Sequence, residues 1–211
     1  MKDACFHDNH LYSIGNGLTK WDTAGNKVWE MPQFYGHKIK IDNSNNILVL
    51  STLPSTGGVF GSTTLTSAGG NDILVLKIDT SGNLLWAQNY GNALNDFANE
   101  ICVDYNNDFY LNCQIDSNYY NNINKYSSNG ILIWNKPLAD SNSSSIPQVP
   151  SRHIQYSAAD STILVSGLFR FSLTVDGQNI VTSPHFSFGH ADDVYLLKLN
   201  TANGSKVYLK N

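Results

Sequence analysis

Charge is scarce in this chain. Only 14% of its 211 residues are Asp, Glu, Lys or Arg, against about a quarter in an average soluble domain. Long soluble helices draw heavily on Glu and Lys, so the shortage argues for short strands and many turns. The formal net charge is −4 and the basic residues form no cluster, which removes the electrostatic footprint of a nucleic-acid partner. No apolar run approaches the length that crosses a bilayer as a helix, so no membrane insertion is expected. The opening MKDACFHDNH holds no apolar stretch of the kind an export leader needs. That leaves a cytoplasmic chain or an internal piece of a longer secreted one.

Cysteine is nearly absent as well. Cys5, Cys102 and Cys113 are odd in number and lack CxxC spacing, so neither a disulfide framework nor a zinc site is indicated. Cys102 and Cys113 fall on two runs that the intervening turn would pair. If Asp104 faces Phe109 across that turn, Cys102 faces Leu111 and Cys113 lies diagonal, a poor geometry for a bridge. Catalytic signatures are missing too: there is no Gly-x-Ser-x-Gly, no His-Glu-x-x-His and no phosphate-cradling Gly loop. We assign no catalytic residue and expect no cofactor.

What the chain does have is repetition. A Lys, a turn Gly and a large ring recur in residues 18–30 (LTKWDTAGNKVWE), 75–87 (VLKIDTSGNLLWA), 123–135 (INKYSSNGILIWN) and 196–208 (LLKLNTANGSKVY). In the first three copies Gly25, Gly82 and Gly130 follow Lys20, Lys77 and Lys125 by five residues, and Trp29, Trp86 and Trp134 follow those glycines by four. The fourth is looser, with Gly204 six residues after Lys198 and Tyr208 in place of Trp. A period of roughly 50 residues marks a repeat architecture.

A second unit precedes each of these: IKIDNSNNILVLS (39–51), ICVDYNNDFYLNC (101–113), IQYSAADSTILVSG (154–167) and a degraded ACFHDNHLYSIG (4–15). Short alternating runs on either side of an Asn, Asp or Ser cluster signal two strands joined by a tight turn. Two such hairpins make a four-stranded antiparallel sheet, and four sheets in series make the blades of an all-β propeller. The blades drawn are 1–33, 34–91, 92–138 and 139–211, together one domain of about sixteen strands. The second and fourth carry extra stretches at 57–72 and 173–193, and 139–152 reads as a connecting loop.

These residues resemble the SBBP-type β-propeller repeats of large secreted proteins of Bacteroidetes and, more distantly, PQQ-like propeller repeats. The match is clearest over residues 60–91 (FGSTTLTSAGGNDILVLKIDTSGNLLWAQNYG) and 95–113 (NDFANEICVDYNNDFYLNC). It covers nearly the whole chain and weakens in the first and fourth blades, where Asn200 replaces the Asp of the Lys-x-Asp step. The resemblance implies export, often by a type IX secretion route, an extracellular or cell-surface location, and a role in adhesion or as a non-catalytic module. It carries no catalytic residues.

The three tryptophans would suit a sugar-stacking platform, yet a ring at one phase of every repeat is better suited to packing one blade on the next, and we expect all three to be buried. The repeat lysines are expected to be solvated or paired with acids of their own blade. Asp104, Asn106 and Asp108 alternate like oxygen ligands of a calcium loop, echoed by Asp42, Ser44 and Asn46. Asx-rich turns are also ordinary hairpin chemistry, and no Glu closes the set, so no metal is assigned. His7 and His10 around Asp8, and His185 and His190 before Asp192, sit on turns that orient no ligand set.

Three functions follow. The leading expectation is a non-catalytic binding or spacer module whose partner is a protein or carbohydrate. A carbohydrate-active enzyme would instead show carboxylates converging on the central funnel. An assembly module would complete its propeller with further blades or a second copy. Closed four-bladed propellers lie at the low end of the usual range, so an open arc is favoured over a closed ring.

Overall fold

The computed structural model describes residues 1–32, 34–115, 121–138, 151–169, 172–181 and 193–211. Every regular element among them is a strand. The first sheet is a meander of β1 (Asp3–His7), β2 (His10–Ile14), β3 (Gly17–Trp21) and β4 (Lys27–Pro32). The second runs β5 (Gly36–Ile41), β6 (Ile47–Leu53), β9 (Asp72–Ile78) and β10 (Leu84–Tyr90), with a small hairpin, β7 (Gly58–Phe60) and β8 (Thr63–Leu65), inserted midway. The third is β11 (Phe97–Val103), β12 (Phe109–Gln114), β13 (Asn121–Tyr126) and β14 (Leu132–Leu138). The fourth runs β15 (Ser151–Ser157), β16 (Thr162–Phe169), β19 (Asp193–Asn200) and β20 (Lys206–Lys210), again with an inserted hairpin of β17 (Ser172–Val175) and β18 (Gln178–Val181). Sixteen strands therefore build four antiparallel four-stranded sheets. The extra stretches of the second and fourth repeats supply the two inserted hairpins.

Turn chemistry sets these meanders. Asp22 Oδ1 accepts the amides of Ala24 and Asn26, and Asp79 Oδ1 those of Ser81 and Asn83. Each turn then passes through a glycine at positive φ, 83° at Gly25 and 91° at Gly82, a region that costs a Cβ-bearing residue about 1–2 kcal/mol. A bulge follows in every outer strand and sets the register so that the ring falls directly opposite its lysine: Lys20 with Trp29, Lys77 with Trp86, Lys125 with Trp134, Lys198 with Tyr208. The longer fourth turn reaches the same pairing.

The sheets stack through three apolar cores. Tyr12, Ile14 and Leu18 of the first meet Ile47, Val49 and Leu76 of the second. The opposite face of the second, with Leu48, Leu50 and Val75, packs on Phe109, Leu111 and Tyr126 of the third. Tyr110, Ile123 and Leu138 pack on Ile163, Val165 and Leu197 of the fourth. Among the described residues no such core joins the first sheet to the fourth. Their outward faces keep Phe6 and Leu11 at one end, 65% and 37% exposed, and Val194 and Leu196 at the other, 63% and 39% exposed.

Two expectations are corrected. Val103, not Asp104, pairs with Phe109, so Cys102 lies opposite Tyr110 and Cys113 opposite Ala98. The two thiols belong to different cores and remain free, because alternate strand residues point to opposite faces. Trp29, Trp86 and Trp134 are half-buried rather than enclosed, since each rides an outer strand at the rim of a core.

Candidate functional site

The repeat residues form a clamp between neighbouring sheets. Lys20 Nζ and Trp29 Nε1 both donate to the carbonyl of Thr80, in the turn of the second sheet, at 3.0 and 3.2 Å. Lys125 Nζ and Trp134 Nε1 do the same to Thr201 of the fourth sheet, at 3.2 and 3.0 Å. The middle junction varies the theme. Lys77 Nζ reaches Ser128 O at 3.3 Å, while Gln88 and the Tyr90 hydroxyl bond Asn129 and Gly130. Trp86 instead lies over Phe109, ring centres 6.0 Å apart, and its Nε1 is buried without a partner.

In three of the four turns the glycine is the surface a clamp closes on. A Cβ on Gly82 would lie 3.2 Å from the Trp29 ring, one on Gly204 2.9 Å from the Trp134 ring, and one on Gly130 2.1 Å from the Gln88 amide. Gly25, in the first sheet, faces nothing within 4 Å. At the other end Lys198 pairs with Asp160 of its own sheet and sits 5.8 Å from the Tyr208 ring. The Lys198 ammonium, with Thr162 and Ser157 hydroxyls, holds the Asp160 carboxyl down at about 2.

Lys77 and Lys125 are buried, and both are paired with acids of their own sheet, the second of the two expectations for the repeat lysines. Lys77 lies 2.8 Å from Asp42 Oδ2, and both are buried. Burial opposes ionisation of Asp42, but Lys77 and the amides of Asn46 outweigh it, so its carboxyl stays below the usual range. Lys125 sits between Asp104 and Asp108, at 3.3 and 2.9 Å. Asp104 also accepts the amides of Asn106 and Asp108 and the Tyr110 hydroxyl. The alternating oxygens of this turn thus fold it and hold an ammonium. The neighbouring turns are stitched together by Asn43, which bonds Asn107 Oδ1 and the carbonyl of Asp104.

The innermost strands β5, β11 and β15 carry a second cluster. Glu100, 4% exposed, lies 3.0 Å from Lys38, 3.7 Å from Lys40 and 4.0 Å from His153. Each of these strands is bulged nearby, between Gly36 and Lys38, Ala98 and Glu100, and Ser151 and His153. A single carboxylate flanked by two ammonium groups is an ion network rather than an acid and base pair. No local spacing announces it, because its members come from three sheets. The acids Asp72 and Asp96 are also buried, on either side of Gly91, whose absent side chain leaves their carboxylates room. Asp72 accepts Ala68 N and Asn89 Nδ2, so it ties the segment that follows the inserted hairpin to β10.

One cleft, about 730 Å³, is open and lined by Asn89, Tyr90, Asn122, Asn124, Tyr126 and Asn135 among others. Another, about 590 Å³, lies between β4 and the first inserted hairpin, with Met31, Phe34, Phe60 and Leu84 on its walls. His7 and His10 face each other across a tight turn, with His10 Nδ1 held 2.6 Å from Asp8 O. His185, His190 and Asp192 lie outside the described residues, as does most of the 139–152 connection. Among the described residues no group of three His, Cys, Asp or Glu could hold a metal ion.

Four antiparallel four-stranded sheets stacked face to face are a β-propeller-like all-β arrangement. A solved structure supports the same class. The chain resembles a variant of the Synechocystis apocarotenoid oxygenase, a seven-bladed propeller, with a TM-score of 0.50, 11% identity, and coverage of 99% of this chain and 48% of that one. An apocarotenoid oxygenase/RPE65 chimera matches with a TM-score of 0.49 and 11% identity over 95% of this chain and 46% of that one. The chain thus spans about half the length of the solved structures it matches. No protein-family profile and no curated protein sequence matches it.

Proposed function

We propose that this chain is an open arc of four propeller blades that works as a non-catalytic binding or spacer module of a secreted or cell-surface bacterial protein. One observation carries the arc: among the described residues, four sheets share three cores, and the outward faces of the first and last are bare. The whole chain matching 48% of the length of a seven-bladed propeller protein supports blades spaced as in a large propeller rather than a four-bladed ring. The non-catalytic reading rests on Glu100, whose carboxylate is spent on Lys38 and Lys40. The SBBP-like repeats supply the location. The Asn- and Tyr-lined cleft beside the third sheet suits a protein or carbohydrate ligand, since amides and ring faces are what bind sugar hydroxyls and C–H faces. The test pairs affinity electrophoresis with reducing-end release on a panel of polysaccharides. Retention without release is expected. Release that disappears in Glu100→Gln would turn the reading into a carbohydrate-active enzyme.

A further inference from the structure

We infer that the two bare faces are the halves of one more clamp, and that a second copy of this chain fills it head to tail. The inference rests on the open-arc reading. Every internal junction follows one rule: a lysine and a ring-bearing side chain on one sheet reach over the turn of the next and bond its carbonyls. The fourth sheet presents the reaching half, with nothing beyond it among the described residues. Lys198 and Tyr208 stand side by side, Lys210 lies 5.5 Å from the same ring, and Val194 and Leu196 are exposed beside them. The first sheet presents the receiving half. Thr23 is the counterpart of Thr80, Ser128 and Thr201; it is exposed, and Gly25 behind it is uncovered. Phe6 and Leu11 supply the apolar surface there.

Charge agrees with this pairing. Lys198 and Lys210 lie on the reaching face, and Asp22 sits in the receiving turn. Lys77 bonds Asp42 and the next turn at once, so Lys198 can keep Asp160 while it donates to the second copy's Thr23 carbonyl. The Tyr208 ring would then cover the second copy's Gly25, as Trp29 covers Gly82. A heterologous contact of this kind closes only if the rotation permits. Two copies of four sheets each would give eight blades, within the usual range of four to eight.

The test measures the mass of the chain in solution by light scattering, with cross-linking to locate the contact. Twice the 23.3 kDa chain mass is expected, falling to one copy in Leu196→Asp and in Phe6→Asp, both on exposed positions. In a Cys5→Ser background, chains carrying Thr23→Cys mixed with chains carrying Tyr208→Cys should be joined by a short bismaleimide, and Leu196→Asp should abolish the product. A single-copy mass with no internal link in the Thr23→Cys/Tyr208→Cys double variant overturns the inference and leaves the arc standing. A single-copy mass with that internal link overturns both. A pair insensitive to both Asp variants, or a ladder of larger masses, overturns the closed pair.

Discussion

At the scale of single residues, the clamps separate side chains that look alike in the sequence. Trp86 and Trp134 occupy the same repeat position, yet Trp134 donates to Thr201 while the Trp86 indole nitrogen is buried and unpaired. Replacing Trp134 with Phe should therefore cost about 1 kcal/mol more than replacing Trp86, the usual net worth of a hydrogen bond. Denaturant melts of the two variants check this; equal losses would mean the indole bond contributes nothing. The Lys77–Asp42 pair makes a larger prediction, because removing one partner strands a buried charge. Lys77→Met should lose about 3–5 kcal/mol, and adding Asp42→Asn should recover part of it. The pH dependence has a definite sign. Asp42 titrates below its ordinary value in the fold, so its contribution is present above about pH 4 and fades as pH falls through the folded value. The Lys77→Met variant should show a shallower acid decline than the parent. At the third sheet, Lys125 sits between the two carboxylates, so calcium or a chelator should leave the melting temperature unchanged; a rise with calcium that Asp104→Ala removes would reverse that assignment.

At the scale of elements, the turns decide what was legible beforehand. Gly25, Gly82 and Gly130 announce themselves by spacing, and their positive φ of 83°, 91° and 82° shows why glycine is favoured there. The two hairpins per sheet were equally readable, because alternation and Asx clusters are local signals. The bulges were not. They add a residue without changing the pattern, and the one between Ala98 and Glu100 places Cys113 opposite Ala98; the Cys102 partner moved by one position because the Asp104 amide bonds Asp108 across the turn. Nor did the sequence reveal that Lys77 and Lys125 are buried, since that depends on carboxylates from another hairpin. The Glu100 cluster was invisible for the same reason: Lys38, Glu100 and His153 meet only once three sheets are stacked. Two glycines with one backbone conformation test the clamp itself. Gly25→Ala should cost about 1–2 kcal/mol for the left-handed backbone alone. Gly204→Ala should cost more, because its Cβ would press on Trp134 at 2.9 Å. Thermal melts at low protein concentration, where no second copy covers Gly25, provide the comparison; an equal loss would show that the indole ring gives way freely.

At the scale of the whole molecule, stability should follow the stacking. A repeat array is held by the intrinsic stability of each unit and by its contacts with neighbours. The second and third sheets each contribute to two cores, the first and fourth to one. The amides of β6, β9, β12 and β13 should therefore be the last to exchange with deuterium, and those of β2, β3, β16 and β19 should exchange earlier through opening of the end sheets. This gradient also bears on the bare faces. Their exposed residues, Phe6 and Leu11 at one end and Val194 and Leu196 at the other, lose water contact only if another blade arrives. Raising the protein concentration should then protect β2, β3, β16 and β19 while leaving the middle sheets unchanged, because mass action stabilises only what the partner covers. Hydrogen exchange followed by mass spectrometry at two concentrations measures both effects in one experiment. Uniform exchange across all four sheets would indicate a single cooperative ring, with the first and fourth sheets in contact, and the arc would have to be abandoned.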